Sequence, residues 1–238
     1  MFGVRRPHRG AASPQPYGVR LLSFHRTFGR GFLRLAVAVA VSLGGGVAAQ
    51  ATPKRLVVLG DSLSAGYQLP ADAAFPAVLA SALKVNGHDI RVINAAVSGD
   101  TASAGLERYD WALGEGADAV IVELGANDML RGIDPAITEK ALDAILARLS
   151  AKNIPVLLAG MVAAPGMGAS YEQRFNGIFA RLAERHDAIL YPFFLDGVAQ
   201  VARLNLADGM HPNRQGVEEV VRRILPSVER LLAKAAGS

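Results

Sequence analysis

Three side chains that can together perform nucleophilic catalysis are Ser62, Asp208 and His211. A serine hydroxyl is a weak nucleophile until a base removes its proton, and an imidazole is a suitable base near neutral pH. A carboxylate bonded to that imidazole fixes its tautomer and stabilises the imidazolium. Asp208 precedes His211 by three residues, and Gly209 permits a tight turn between them. The sequence therefore predicts a catalytic triad for acyl transfer.

Acyl transfer also needs hydrogen-bond donors for the negative oxygen of its tetrahedral intermediate. The backbone N–H groups of Ser62 and Gly99 and the side-chain amide of Asn127 are the candidates. Each residue has an ordinary structural interpretation as well, since serine and asparagine cap helices and glycine permits a positive φ. The convergence of all five residues, rather than any single one, indicates a catalytic site.

The elements that must position these residues follow from short apolar runs that alternate with segments of helical period. The predicted strands are Leu56–Leu59, Ile90–Ala95, Ala119–Leu124, Ile154–Ala159 and Ile189–Tyr191. The predicted helices are Phe75–Val85, Thr101–Leu113, Pro135–Lys152, Ser170–Arg185 and Asn213–Leu232, with Pro226 expected to kink or interrupt the last. This alternation predicts an α/β fold with a parallel sheet covered by helices on both faces.

The candidate residues all follow predicted strands, where ligands bind in an open parallel sheet. Ser62, Gly99 and Asn127 come after the first, second and third strands, and His211 comes after the fifth. The glycines after the first strand do not form G-x-G-x-x-G, and there is no G-K-[ST] sequence to hold phosphates. Ser64 stands where the G-x-S-x-G elbow needs its second glycine. These departures exclude a dinucleotide fold and an α/β-hydrolase fold.

The first 51 residues have the features of an export signal. They contain seven arginines and no acidic residue, then an apolar run from Leu35 to Val47 and an A-x-A-like end at Ala49 to Ala51. The apolar run is shorter than the roughly 20 residues that span a membrane. We therefore expect a signal peptide over residues 1–51, no permanent membrane anchor, and a periplasmic or secreted protein.

The remaining chain, residues 52–238, is expected to form one domain. Of the 25 basic residues 18 lie there, against 21 acidic ones, so this part carries a net charge of −3 and gives no support to nucleic-acid binding. There is no cysteine, which excludes disulfides, a thiolate nucleophile and cysteine metal ligands. The length is sufficient for one core without such cross-links.

Four sequence blocks resemble those of the SGNH or GDSL hydrolase family. They are Gly60-Asp61-Ser62-Leu63, Gly99, Gly125-Ala126-Asn127-Asp128 and Asp208-Gly209-Met210-His211-Pro212. The resemblance runs in the right order from about Arg55 to Leu225. The longer segments Leu59 to Tyr67, Val122 to Gly125 and His211 to Arg214 are most similar to the periplasmic branch of multifunctional thioesterases, arylesterases and lysophospholipases.

That resemblance implies a flavodoxin-like, three-layer αβα fold with a doubly wound sheet of five parallel strands. It implies Ser62 as nucleophile, Asp208 and His211 as the rest of the triad, and Gly99 and Asn127 as oxyanion donors. No metal or cofactor is implied. The implied substrates are small esters or thioesters. Contact with a lipid substrate is expected to be transient, and the protein is expected to be a monomer or a small homo-oligomer.

The substrate-binding residues are predicted from two loops. In the branch just named, the loop after the asparagine moves over the acyl chain, which here corresponds to Met129 to Asp134 and includes Leu130 and Ile133. The segment from Met161 to Tyr171, which includes Met167, is rich in glycine and methionine and is a candidate wall of an acyl groove. Ordinary loop packing is the alternative for both. Ala126 stands where close relatives often have a second glycine.

The function predicted from the sequence is a serine esterase acting on aryl and short-to-medium acyl esters, with thioesters and lysophospholipids as further substrates. A carbohydrate O-acetylesterase acting on cell-wall polysaccharide is an alternative, since the same four blocks serve that chemistry elsewhere in the family. A binding protein without catalytic activity, built on the same scaffold, is an alternative from another class.

Overall fold

The computed structural model describes residues 54–237, so the predicted signal peptide lies outside the described residues. The five strands are β1 (Lys54–Gly60), β2 (Ile90–Asn94), β3 (Ala119–Glu123), β4 (Val156–Ala159) and β5 (Ile189–Tyr191). All neighbouring strands are parallel, in the order β2-β1-β3-β4-β5. This is the doubly wound, flavodoxin-like order, and the α/β prediction is confirmed.

Helices cover the sheet in two groups. The helices are α1 (Ser62–Ala65), α2 (Phe75–Val85), α3 (Ala102–Glu107), α4 (Tyr109–Leu113), α5 (Ala126–Leu130), α6 (Pro135–Ser150), α7 (Ala169–Arg185) and α8 (Arg214–Ala236), with 3₁₀ turns at Ala71–Ala73 and Ala202–Leu204. Helices α2 and α8 pack together, whereas α3, α6 and α7 form the other group. Right-handed crossovers on this strand order place the two groups on opposite faces, which gives three layers.

The core is built from the central strands. All five residues of β3 are buried, and so is β1 from Leu56 to Gly60. Because a parallel strand buried on both faces needs apolar residues at every position, these strands appear in the sequence as continuous apolar runs rather than alternating ones. The one acid in these runs, Glu123, ends β3 and is fully buried.

The structure corrects one of the helix predictions and, in another, excludes an interruption of the helix. The predicted helix 101–113 is two short helices, because the chain turns at Arg108, whose side chain reaches back to Asp100 and to the carbonyl of Ala95. The last helix continues through Pro226. There, Ile224 and Val228 on either side of the proline are both fully buried, so packing holds the helix together across it.

The strand register determines which loops meet at the carboxyl edge of the sheet. Gly60 pairs with Glu123 across β1 and β3, while Val58 pairs with Asn94 across β1 and β2. The segments that follow these three strands therefore begin side by side. They contain Ser62, Gly99 and Asn127, the residues that the sequence analysis selected.

Candidate active site

The candidate nucleophile, Ser62, is the first residue of the short helix α1. Asp61 caps this helix, because its Oδ1 accepts a hydrogen bond from the Leu63 N–H at 3.0 Å. Gly66 ends the helix with φ at 86°, and a Cβ there would lie 2.6 Å from that of Ala74. The sharp turn at each end of α1 leaves Ser62 half-buried and directed towards the loop that carries His211.

The three residues predicted as a triad are connected by hydrogen bonds. The Nε2 atom of His211 lies 2.9 Å from the Ser62 Oγ, and its Nδ1 atom lies 2.7 Å from Asp208 Oδ2. Gly209 adopts a φ of 71°, as the predicted tight turn requires. A hydrogen on Nδ1 directed to Asp208 leaves the Nε2 lone pair free to accept the Ser62 proton.

Asp208 is held in its charged form by the local backbone. The N–H groups of His211 and Met210 both donate to its Oδ1, at 3.0 and 2.9 Å. These bonds, with that of the His211 ring, lower the pKa of Asp208 to about 2. The carboxylate therefore stays negative over the whole range in which an imidazole titrates.

One residue in contact with the imidazole was not selected from the sequence. The ring of Tyr67 lies against that of His211, with 4.4 Å between centroids and an interplanar angle of 37°. Tyr67 follows the turn at Gly66, and the next residue, Gln68, has a positive φ of 57°. This contact limits the directions in which the imidazole can turn. Tyr67 belongs to the Leu59-to-Tyr67 motif, but nothing local in the sequence indicates its contact with His211.

Two of the three candidate oxyanion donors have no partner in the described part of the chain. These are the backbone N–H groups of Ser62 and Gly99, the latter with φ at 89°. The Asn127 amide instead donates to Asp61 Oδ2 at 3.1 Å and to the Asp100 carbonyl at 3.0 Å. It thus connects the residue before Ser62 with the residue after Gly99. A substrate oxygen must take over one of these hydrogen bonds in order to bind Asn127.

A pair of buried acids lies beneath the candidate nucleophile. The Glu123 Oε2 accepts the Asp61 N–H at 3.3 Å and the hydroxyl of Ser64, and both Asp61 and Glu123 are fully buried. Burial raises the pKa of Asp61 to about 6 and that of Glu123 well above its ordinary value.

The donors around each carboxyl decide which of the two acids keeps the proton. Asp61 accepts N–H groups on both oxygens, whereas the Glu123 Oε1 has no partner. The carboxylate is therefore on Asp61 and the proton on Glu123 at neutral pH. A single acid within the apolar run of β3 is the sequence signal that would have indicated this site, because charged residues are rarely buried.

The two loops predicted to bind substrate contact each other. The Ala164 N–H lies 3.3 Å from the Met129 sulfur, and the Tyr171 hydroxyl donates to the Ile133 carbonyl at 3.1 Å. Met129, Ile133 and Met167 are half-buried, and Leu130 is 57% exposed. Met161 differs from the others, because it is packed in the hydrophobic core with 3% exposure and presents almost no surface to a ligand.

The short helix after β3 accommodates the alanine that departs from the usual pattern. Gly125 takes the left-handed conformation with φ at 117°, so Ala126 is the first helical residue of α5. Among residues 54–237, no helix is both long and apolar enough to cross a membrane. No group of three or more acidic or histidine side chains in that range is arranged to hold a metal ion.

This combination of fold and site defines a family of hydrolases. Residues 58–218, more than half of the chain, match the GDSL-like Lipase/Acylhydrolase family. The chain therefore belongs to that family and is an ester hydrolase.

Named relatives agree with this assignment. Esterase TesA of Pseudomonas aeruginosa is 36% identical over 184 residues, which cover 77% of this chain and 92% of the relative. Thioesterase 1/protease 1/lysophospholipase L1 of Escherichia coli K12 is 40% identical over 165 residues, or 69% of this chain and 78% of the relative. The crystal structure of AlinE4, an SGNH-hydrolase family esterase, has a TM-score of 0.65 and 44% identity, covering 76% of this chain and 98% of AlinE4.

Proposed function

We propose that this protein hydrolyses aryl and short-to-medium acyl esters through an acyl-enzyme on Ser62. Acyl thioesters and lysophospholipids are further substrates, as the names of the relatives suggest. The observation that carries the mechanism is the unbroken hydrogen-bonded chain from the Ser62 hydroxyl through both nitrogens of His211 to Asp208. This arrangement generates a nucleophile without any other component.

In the first step, the His211 Nε2 takes the Ser62 proton while the Oγ bonds to the substrate carbonyl carbon. The carbonyl oxygen becomes negative, and we assign its stabilisation to the N–H groups of Ser62 and Gly99 and to the Asn127 amide. A donor of this kind is typically worth about 3 kcal/mol of activation free energy. Asp208 stabilises the imidazolium, to which the ring of Tyr67 also lies close.

In the second step, the tetrahedral intermediate collapses and the bond to the leaving group breaks. The Nε2 proton passes to the leaving oxygen or sulfur, which departs as an alcohol, phenol or thiol. A water then takes the place of the leaving group, gives a proton to His211 and attacks the acyl carbon. Release of the acid returns the proton to Ser62.

The acyl chain is assigned to the apolar surface beside Ser62. Met129, Leu130 and Ile133 on one loop meet the segment with Met167 on the other, and Val162 adds a side chain that is 44% exposed. Methionines suit such a surface because their flexible side chains adapt to chains of different length. Met161 is buried in the core and does not line this surface.

The location and assembly of the protein are also proposals. The arginine-rich leader and its apolar run support export to the periplasm or the medium. The proposed triad and oxyanion donors all come from one chain, so a monomer has a complete site, and lipid substrates need only transient contact. Mass spectrometry of the exported protein tests the removal of the leader, since cleavage near Ala49 to Ala51 is expected.

The function is tested by initial hydrolysis rates on p-nitrophenyl esters from acetyl to palmitoyl, with an acyl-CoA and a lysophospholipid alongside. We expect turnover of short and medium chains, and its loss in Ser62→Ala with an unchanged circular dichroism spectrum. Ser81→Ala is the matched control, because Ser81 is exposed on α2 and hydrogen-bonds only within its helix. An active and well-folded Ser62→Ala variant would refute the mechanism.

The same experiment separates the alternatives. Removal of acetyl groups alone would favour the carbohydrate O-acetylesterase. The absence of all turnover, together with no labelling of Ser62 by a fluorophosphonate, would favour a binding protein. The chain-length optimum reports on the surface between the two loops.

A further inference from the structure

A partly buried arginine lies behind the proposed oxyanion donors. Arg108 separates α3 from α4, and its charged side chain is only 16% exposed. The guanidinium donates to the Gly60 carbonyl at 3.0 Å and to the Ala95 carbonyl at 2.5 Å, and its Nε pairs with the Asp100 carboxylate. A planar guanidinium can bind several acceptors at once because its donors have a fixed geometry.

The partners of Arg108 belong to the segments that carry the proposed donors. Gly60 is two residues before Ser62, and Ala95 begins the loop that leads to Gly99. Asp100 directly follows Gly99, and its carbonyl accepts the Asn127 amide at 3.0 Å. One side chain therefore connects the ends of β1 and β2 with the segment of Gly99 and Asp100, to which Asn127 is bonded.

Oxyanion stabilisation depends on the relative position of donors that come from separate loops. A catalytic group must be held to within about 0.5 Å, and a misplacement of 1 Å can cost about 100-fold in rate. The backbone itself provides few links here, such as the Val97 N–H to Gly60 carbonyl bond of 3.0 Å. The side-chain bonds of Arg108 add three links at this point.

The charge of Arg108 matters as well as its hydrogen bonds. Asp100 is 13% exposed, and Arg108 is its only ion-pair partner in the described part of the chain. Without the guanidinium, a poorly hydrated carboxylate would stand next to Gly99, close to the place where the substrate oxygen becomes negative. Like charges at such a distance oppose that change.

We propose that Arg108 is a positioning residue for the oxyanion hole, which it organises by fastening the Gly60, Ala95 and Asp100 segments together. This inference rests on the proposed function. It predicts an effect on the transition state rather than on substrate binding, so kcat should change and KM should not.

The test compares Arg108→Met with a matched control, Arg55→Met. Arg55 also bonds to a carbonyl, that of Gly116, and pairs with Glu115, but it lies on β1 at the opposite edge of the sheet. We expect kcat of Arg108→Met to fall about 100-fold with KM within about threefold, and kcat of Arg55→Met to stay within twofold. Binding of an alkylboronic acid, which forms a tetrahedral anionic adduct on Ser62, should weaken in parallel with kcat.

Two further variants separate positioning from folding. Asp100→Asn added to Arg108→Met removes the unpaired carboxylate. The kcat of this double variant should therefore be about tenfold higher than that of Arg108→Met. Arg108→Lys keeps the charge but not the planar arrangement of donors, and kcat should fall about tenfold. If kcat of Arg108→Lys stays within twofold of wild type, the inference is wrong, whether or not Arg108→Met folds.

The outcomes also separate this inference from the proposed function. If the wild-type protein hydrolyses no ester and forms no boronate adduct, the proposed function fails. If it does both and the Arg108 variants match it, only the role of Arg108 fails.

Discussion

Asp208 shows how one side chain serves both the backbone and the proposed chemistry. Its Oδ1 accepts two backbone N–H groups, while its Oδ2 is bonded to the imidazole of His211. The turn therefore positions the histidine and holds the carboxylate charged at the same time. Because both functions lie within four residues, the turn itself contributes to the orientation of the ring.

Asp208→Asn tests this division between the two oxygens. The amide oxygen must accept the two backbone N–H groups, so the NH₂ group faces Nδ1 and forces the imidazole into the tautomer with its hydrogen on Nε2. That tautomer cannot take the Ser62 proton, and we expect kcat to fall about 10⁴-fold, as in other triads. The measurement is the kcat for p-nitrophenyl butyrate.

The control for this variant is Asp110→Asn, at an exposed aspartate on α4. It should leave kcat unchanged. A loss of less than tenfold in Asp208→Asn would assign the orientation of His211 to another group.

At the level of the elements, the end of β1 has no space for a side chain. A Cβ on Gly60 would lie 2.2 Å from the Ser64 Oγ and 2.7 Å from the Glu123 Oε2. The glycine is therefore required by space and allows the turn that begins α1 to pack on the end of β3. This contact joins the helix that carries Ser62 to the centre of the sheet.

Gly60→Ala is expected to destabilise the protein by about 1 to 3 kcal/mol, the usual cost of overpacking. It should also lower kcat, since Ser64 and Ser62 lie on the same short helix. Urea unfolding and the rate on p-nitrophenyl butyrate measure the two effects. Gly237→Ala is the control, because a Cβ there meets only atoms at 4.0 Å. Equal unfolding midpoints for the two variants would contradict the role of space at Gly60.

For the whole molecule, the buried acids connect stability to pH. Both Glu123 and Asp61 have pKa values raised by burial, that of Asp61 to about 6. The native state therefore binds more protons than the unfolded state at pH values between the ordinary pKa values, 4.5 for Glu123 and 3.8 for Asp61, and the raised ones. By linkage, the contribution of these groups is present at acidic pH and is lost as pH rises through the raised pKa values.

Glu123→Gln removes one of these groups while keeping an oxygen for the Ser64 hydroxyl and the Asp61 N–H. We expect the free energy of unfolding to depend less on pH in the variant. Relative to that of the wild type, it should increase as the pH rises from 5 to 8. Urea unfolding at several pH values measures this difference. Glu184→Gln, at an exposed glutamate of α7, should follow the wild type. If the free energies of unfolding of Glu123→Gln and the wild type change in parallel with pH, Glu123 is ionised in the native state over the whole pH range and the expectation is wrong.

The sequence by itself determined the layout of the fold and the candidate triad. Each strand is a short β-branched run, and buried parallel strands need such runs, so the pattern alone defines the α/β class. The Asp208 to His211 turn is local, with a glycine at the position that needs a positive φ. Ser62 follows a strand, and strand ends meet at one edge in any parallel sheet. These inferences need no knowledge of which strands are neighbours.

The tertiary structure decided everything that depends on register and packing. Glu123 lies under Ser62 only because β3 pairs with β1 at Gly60, and residues some 60 positions apart carry no mark of that pairing. Whether Met161 lines a groove or fills the core depends on what packs beside it. The contacts of Arg108 and Tyr67 arise in the same way. Local pattern specifies an element, but a contact between elements is set by the packing of the whole chain.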